Sequence, residues 1–220
     1  MSLLFRFLEW FLHIDRHLGA LIQQFGVWSY VLLFLVIFAE TGLVVTPFLP
    51  GDSLLFAIGA FAARGTLELW AVLILLIAAA IIGDSVNYTI GRRFGQWFIT
   101  KTNGRFIKPE HLAKTEKFYA KYGAKTIVLA RFVPIVRTLA PFVAGVGKME
   151  YKKFLFFNVF GGMLWVVLFV VAGYLFGNLP VVQHNFTLVI FAIIGVSLVP
   201  GIIEYVRAKW GKEGLAESAE

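Results

Sequence analysis

Twice in this chain an apolar stretch is broken by a pair of prolines and set with charged residues: "FAETGLVVTPFLPGDSLLF" at 38–56 and "ARFVPIVRTLAPFVAGVGKM" at 130–149. Around them lie apolar runs at 27–40, 69–91, 154–177 and 186–206, several near the roughly 20 residues that cross a bilayer. Of the 220 residues 59% are hydrophobic and only 15% charged, too few to cover a soluble domain of this size. An all-α membrane protein with about four full transmembrane helices is expected. Irregular backbone at membrane depth is tolerated only inside protein or beside a water-filled cavity. Residues 43–63 and 126–147 are therefore expected as two re-entrant helical hairpins, turning at Pro47, Pro50 and Gly51 in the first and at Pro134 and Pro141 in the second.

Residues 1–25 read as an amphipathic interfacial helix: Arg6, Glu9, His13, Arg16 and His17 share one face, with Phe7, Phe11, Ile14, Leu18 and Leu21 largely opposite. Glu9 and Asp15 interrupt its apolar run, so it is not read as a cleavable signal. Residues 1–207 form one expected membrane domain, and the polar tail 208–220 is expected to be disordered. There is no cysteine, and the four histidines, His13, His17, His111 and His184, lack ligand spacing, so neither metal nor cofactor is expected. The net charge of +7 is ascribed to topology and anionic lipid rather than nucleic acid.

Basic residues crowd the connection 92–125, from Arg92 and Arg93 to Lys125, and return at Lys148, Lys152, Lys153, Arg207 and Lys209. The loop "NLPVVQHN" at 178–185 has none. The positive-inside rule then places both termini and the connection in the cytoplasm. Within the connection, Lys114, Lys117, Lys121 and Lys125 fall on one helical face, either solvated or against anionic headgroups. The order "broken segment, apolar span, G-x-x-F-G" occurs twice, ending in "GRRFG" at 91–95 and "GYLFG" at 173–177. The inferred topology inverts one copy against the other, an inverted repeat of the kind that builds many transporters.

The charges in the broken segments are Glu40 and Asp52 in the first copy, and Arg131 and Arg137 in the second. Each costs about 2.5–3.5 kcal/mol at a helix centre unless paired, hydrated or bound to a ligand. Two acids facing two bases cancel formally, so mutual pairing is expected. Arg131 and Arg137 would diverge by about 240° on an unbroken helix, but Pro134 lets them converge, and converging guanidiniums suit a phosphate. Glu40 and Asp52 are expected to exchange protons, because the charged form of a carboxylate is disfavoured where water is scarce. A plainer role for Asp52 is the N-cap of the following helix. Asp84, Asn87 and Thr138 are candidate supporting residues, with Asp84 expected to bond Asn87 or Tyr88 as packing glue. Trp10, Trp28, Trp70 and Trp165 are expected as interface or core residues.

The two broken segments, together with "HIDRHL", "GVWSY" and "GDSVNYTIGR", resemble the DedA family of bacterial membrane proteins, relatives of the VTT-domain lipid scramblases, over roughly residues 10–207. The resemblance implies two facing re-entrant hairpins among transmembrane helices, in the bacterial inner membrane. It implies lipid translocation linked to the proton-motive force, with undecaprenyl phosphate as the leading substrate and phosphatidylethanolamine as another. The family's required acids match Glu40 and Asp52, and its required arginines match Arg131 and Arg137. The main alternative is a proton-coupled ion antiporter, against which the arginines argue. An enzyme is not expected, since no histidine stands beside a serine or aspartate in the broken segments. Self-association stays open.

Overall fold

The computed structural model describes residues 24–43, 51–101, 123–186, 188–196 and 199, and every regular element among these is helical. In chain order they are α1 (Trp28–Gly42), α2 (Gly51–Ala63), α3 (Leu69–Lys101), a 3-10 turn (Gly123–Lys125), α4 (Thr126–Ala130), α5 (Pro134–Val146), α6 (Tyr151–Phe176) and α7 (Pro180–His184). Residues 188–196 are again helical. The expected interfacial helix, most of the connection, the tail, and Pro47 and Pro50 lie outside the described residues.

Among the described residues, two helices have the length and composition of a membrane span: α3 over Leu69–Gly95, 27 residues, and α6, 26 residues. At 1.5 Å per residue each reaches about 40 Å, against a hydrocarbon core of about 30 Å. Phe156, Phe160, Leu164 and Leu168 stand exposed on α6 at four-residue spacing, a stripe suited to lipid rather than water. Of the other two expected spans, α1, 15 residues, matches the run 27–40 but falls short of the roughly 20 residues that cross a bilayer, and the last is described only in part. α3 begins where Glu68 accepts hydrogen bonds from the N–H groups of Trp70 (3.1 Å) and Ala71 (2.5 Å), satisfying donors that a helix start leaves open.

α3 does not stop at Gly91 as its sequence suggests; it continues to Lys101, so the connection opens as helix. Glycine in a helix costs about 1 kcal/mol, yet here tertiary contact requires it. A Cβ at Gly91 would fall into the backbone carbonyl of Phe142 on α5, and one at Gly95 would meet the Val146 side chain. The other G-x-x-F-G segment behaves alike: a Cβ at Gly173 would fall into the Phe56 carbonyl on α2, and one at Gly177 would strike Ala60. In return, Gly145 of α5 lies against Tyr88 and Arg92, while Gly59 of α2 lies against Val170 and Tyr174. The short helix of each half thus packs on the long helix of the other, α2 on α6 and α5 on α3.

In the second broken segment the break occupies residues 131–133. Val133 is extended (φ −118°, ψ 106°), as the residue before a proline prefers, and Pro134 starts α5 in the first-turn position that proline favours. Pro141 makes no turn: α5 runs through it. The lost hydrogen bond is a single one, and the packing of α5 along α3 holds the helix on either side. α2 is buried from Gly51 to Ala62, so it lies inside protein rather than against lipid.

Candidate functional site

Five charged side chains spread between positions 40 and 137 are buried together: Glu40, Asp52, Asp84, Arg131 and Arg137. Glu40 comes from the last turn of α1, Asp52 from the first turn of α2, Asp84 from the middle of α3. Arg131 lies in the proline break and Arg137 in the first turn of α5. Helix ends and breaks bring four of the five inward, which is why the cluster falls where the backbone is least regular.

The pairing differs from two acids matched with two bases. Arg137 takes both acids of the first segment. Its Nη1 donates to Asp52 Oδ1 at 2.6 Å, and its Nη2 donates to Glu40 Oε1. Arg131 instead donates through Nη2 to Asp84 Oδ2 and to Asn158 Oδ1. Asp84 is therefore the counter-ion of an arginine and not glue for Asn87 or Tyr88. Asn87 serves elsewhere: its amide donates to the backbone carbonyls of Thr41 (3.1 Å) and Thr138 (2.8 Å), tying the end of α1 and the start of α5 to α3. Three carboxylates against two guanidiniums leave one formal negative charge when all are ionised.

Asp52 falls within α2 rather than ahead of it, so the plainer N-cap role does not describe it. Its Oδ1 accepts from Trp165 Nε1 at 2.8 Å as well as from Arg137. The Arg137 guanidinium also lies 5.2 Å from the centre of the Trp165 ring, a cation–π distance. Trp165, 1% exposed, thus belongs to the charged cluster, where sequence reasoning made it a packing residue. Asn158 was missed altogether. The only hint was a polar residue in the apolar run 154–177, "FLFFNVFGGMLW". Asn158 donates in turn to the Ile81 carbonyl (3.0 Å) and Ser85 Oγ (3.4 Å).

Gly51 opens α2 and its N–H donates to Glu40 Oε1 at 3.2 Å. A Cβ there would collide with the Glu40 carboxylate, so the residue expected to ease a turn also makes room for an acid. Among the described residues, Glu40 Oε2 and Arg131 Nε have no hydrogen-bond partner. The cavity lined by Glu40, Asp84, Arg131, Arg137 and Thr138 is about 10 Å³, room for one water. A phosphate does not fit this space, because among the described residues Arg137 is held by Glu40 and Asp52 and the cluster is closed.

Trp165→Phe removes the N–H bound to Asp52 and keeps a ring beside Arg137. It is expected to lower stability by about 1.5–3 kcal/mol, the range for a hydrogen bond to a charged group, seen as a lower melting temperature of the purified protein. An unchanged melt would mean that the indole N–H contributes nothing to holding Asp52.

The VTT domain profile matches residues 49–175. "Protein DedA" of Escherichia coli K12 is 54% identical over 211 residues, covering 95% of this chain and 96% of that protein. "Inner membrane protein YqjA" of the same organism is 36% identical over 155 residues, 69% of each chain. No solved structure matches.

Proposed function

The chain belongs to the VTT-domain (DedA) family of membrane proteins, and from that premise we propose that it moves a phosphate-bearing lipid headgroup across the inner membrane, coupled to protons. The observation that carries the proposal is the buried cluster of two arginines and three acids. Undecaprenyl phosphate is the leading substrate, with phosphatidylethanolamine as another. Only the headgroup needs the polar path; the chains stay in lipid.

In this mechanism the closed cluster is the resting state. A headgroup phosphate reaches Arg137 only when Glu40 or Asp52 gives it up, and a proton on either acid does that. One proton also cancels the excess charge of the cluster, so uptake of a proton and of an anion belong to the same step. Arg131 holds one acid where Arg137 holds two, so Arg131 is the first contact for phosphate. Deprotonation returns the acids to Arg137 and expels the headgroup. The reciprocal packing of α2 on α6 and α5 on α3 supports two halves in opposite orientation, each with a re-entrant hairpin, that rock against one another. The basic end of α3 is assigned to the cytoplasm; a membrane potential of 100 mV acts on each net charge moved with about 2.3 kcal/mol, and the accompanying proton offsets this for a singly charged headgroup. A cation antiporter is disfavoured, since both acids of the first segment are already held by Arg137.

The test is transport of labelled undecaprenyl phosphate in reconstituted vesicles. Arg131→Ala and Glu40→Gln are each expected to cut the rate about tenfold or more, the loss of at least one charge-assisted hydrogen bond. Wild-type protein moving lipid no faster than either variant would refute the translocase.

A further inference from the structure

Outside the charged cluster, α3 and α6 enclose a groove of about 590 Å³ on the protein surface, within the range that holds small ligands. It runs from Ile81 to Phe94, about 20 Å along α3. Ile82, Ile90, Phe94 and Leu155 give it an apolar wall, with Arg93 and Tyr151 at one end. Arg93 makes that end basic and has no ion pair among the described residues, and the exposed Lys152 and Lys153 follow Tyr151 directly in the chain. At the far end, Ser85 lines the groove and also accepts from Asn158, which accepts from Arg131. Two hydrogen bonds therefore separate the groove from the guanidinium assigned to phosphate.

We infer that this groove is the docking site through which an anionic lipid enters, its phosphate on Arg93 and one acyl or prenyl chain along the apolar wall toward Ile82. The inference rests on the translocase function and adds the route to it. Charge complementarity selects the occupant. An uncharged chain would leave Arg93 unused, and a soluble anion would leave the apolar wall bare. The Ser85 and Thr89 hydroxyls donate to the carbonyls of Ile81 and Ser85 on their own helix, both at 2.7 Å. They keep the wall smooth and compete little for the headgroup, so the phosphate stays at Arg93 until the cluster opens.

The chain has no cysteine, so Ile82→Cys accepts a single bimane label at the inner end of the groove. In phosphatidylcholine vesicles, phosphatidic acid with brominated chains is expected to quench this label about tenfold more effectively than brominated phosphatidylcholine at equal mole fraction, the worth of one charge-assisted hydrogen bond. Arg93→Gln should abolish the preference, Arg93→Lys should keep most of it, and Arg131→Ala should leave it intact. Equal quenching by the two lipids, or a preference that survives Arg93→Gln, overturns the groove. Inorganic phosphate that removes the preference would also overturn it, by assigning Arg93 to a soluble anion. Transport in matched vesicles keeps the two ideas separate. Selective quenching without transport refutes the translocase alone, and transport without selective quenching refutes the groove alone.

Discussion

Arg137→Ala is expected to be among the most damaging single changes in the protein, because it leaves Glu40 and Asp52 buried side by side without their cation. Breaking a buried ion pair by removing one partner costs about 3–5 kcal/mol, and here one guanidinium answers for two carboxylates. The purified variant should melt far below the wild type or fail to leave the membrane folded. Arg131→Ala strands only Asp84 and should lose less. The companion experiment is the triple change Glu40→Gln, Asp52→Asn, Arg137→Met. Replacing a whole buried ionic group by neutral side chains is often harmless to stability, so the triple variant should recover the fold while transporting nothing. A triple variant that still moves lipid would show the cluster to be scaffolding, and Arg137→Ala protein melting like wild type would show that the pairs are not the buried contacts described.

The second large effect concerns the two G-x-x-F-G segments. Gly91→Leu and Gly173→Leu each drive a Cβ into a backbone carbonyl, of Phe142 and Phe56 respectively. Backbone cannot swing aside as a flexible side chain does, so α5 must leave α3 in one variant and α2 must leave α6 in the other. Overpacking of a core usually costs about 1–3 kcal/mol, and both positions should lie at or beyond the top of that range. Gly195→Leu, where nothing lies within 4 Å of the new Cβ, is the control and should be silent. The two damaging variants should also resemble each other in thermal melts, since the contacts they break correspond. A Gly91→Leu protein as stable as the control would disprove the close helix approach.

The sequence by itself determined that the chain lives in a membrane, because apolar runs of bilayer length leave no polar surface for water to cover. It marked the start of α3 and both ends of α6 to within three residues, since length and composition define a span, but ended α3 ten residues short of Lys101. Pro134 placed the second break correctly, because a missing N–H and a restricted preceding residue act locally. It also flagged Glu40, Asp52, Arg131 and Arg137, because charge within apolar sequence stands out. Their partners were not legible. Asp84 joins Arg131 across 47 positions and Trp165 joins Asp52 across 113, and no periodicity encodes which side chains meet at such separations. Local rules likewise misjudged Pro141 and Gly91, both breakers by propensity and both held in helix by the neighbour packed against them. Only the tertiary structure decided that three acids share two arginines and that the space between them is closed in this state. That balance is set by which helix ends converge, and convergence is a property of packing rather than of any single segment.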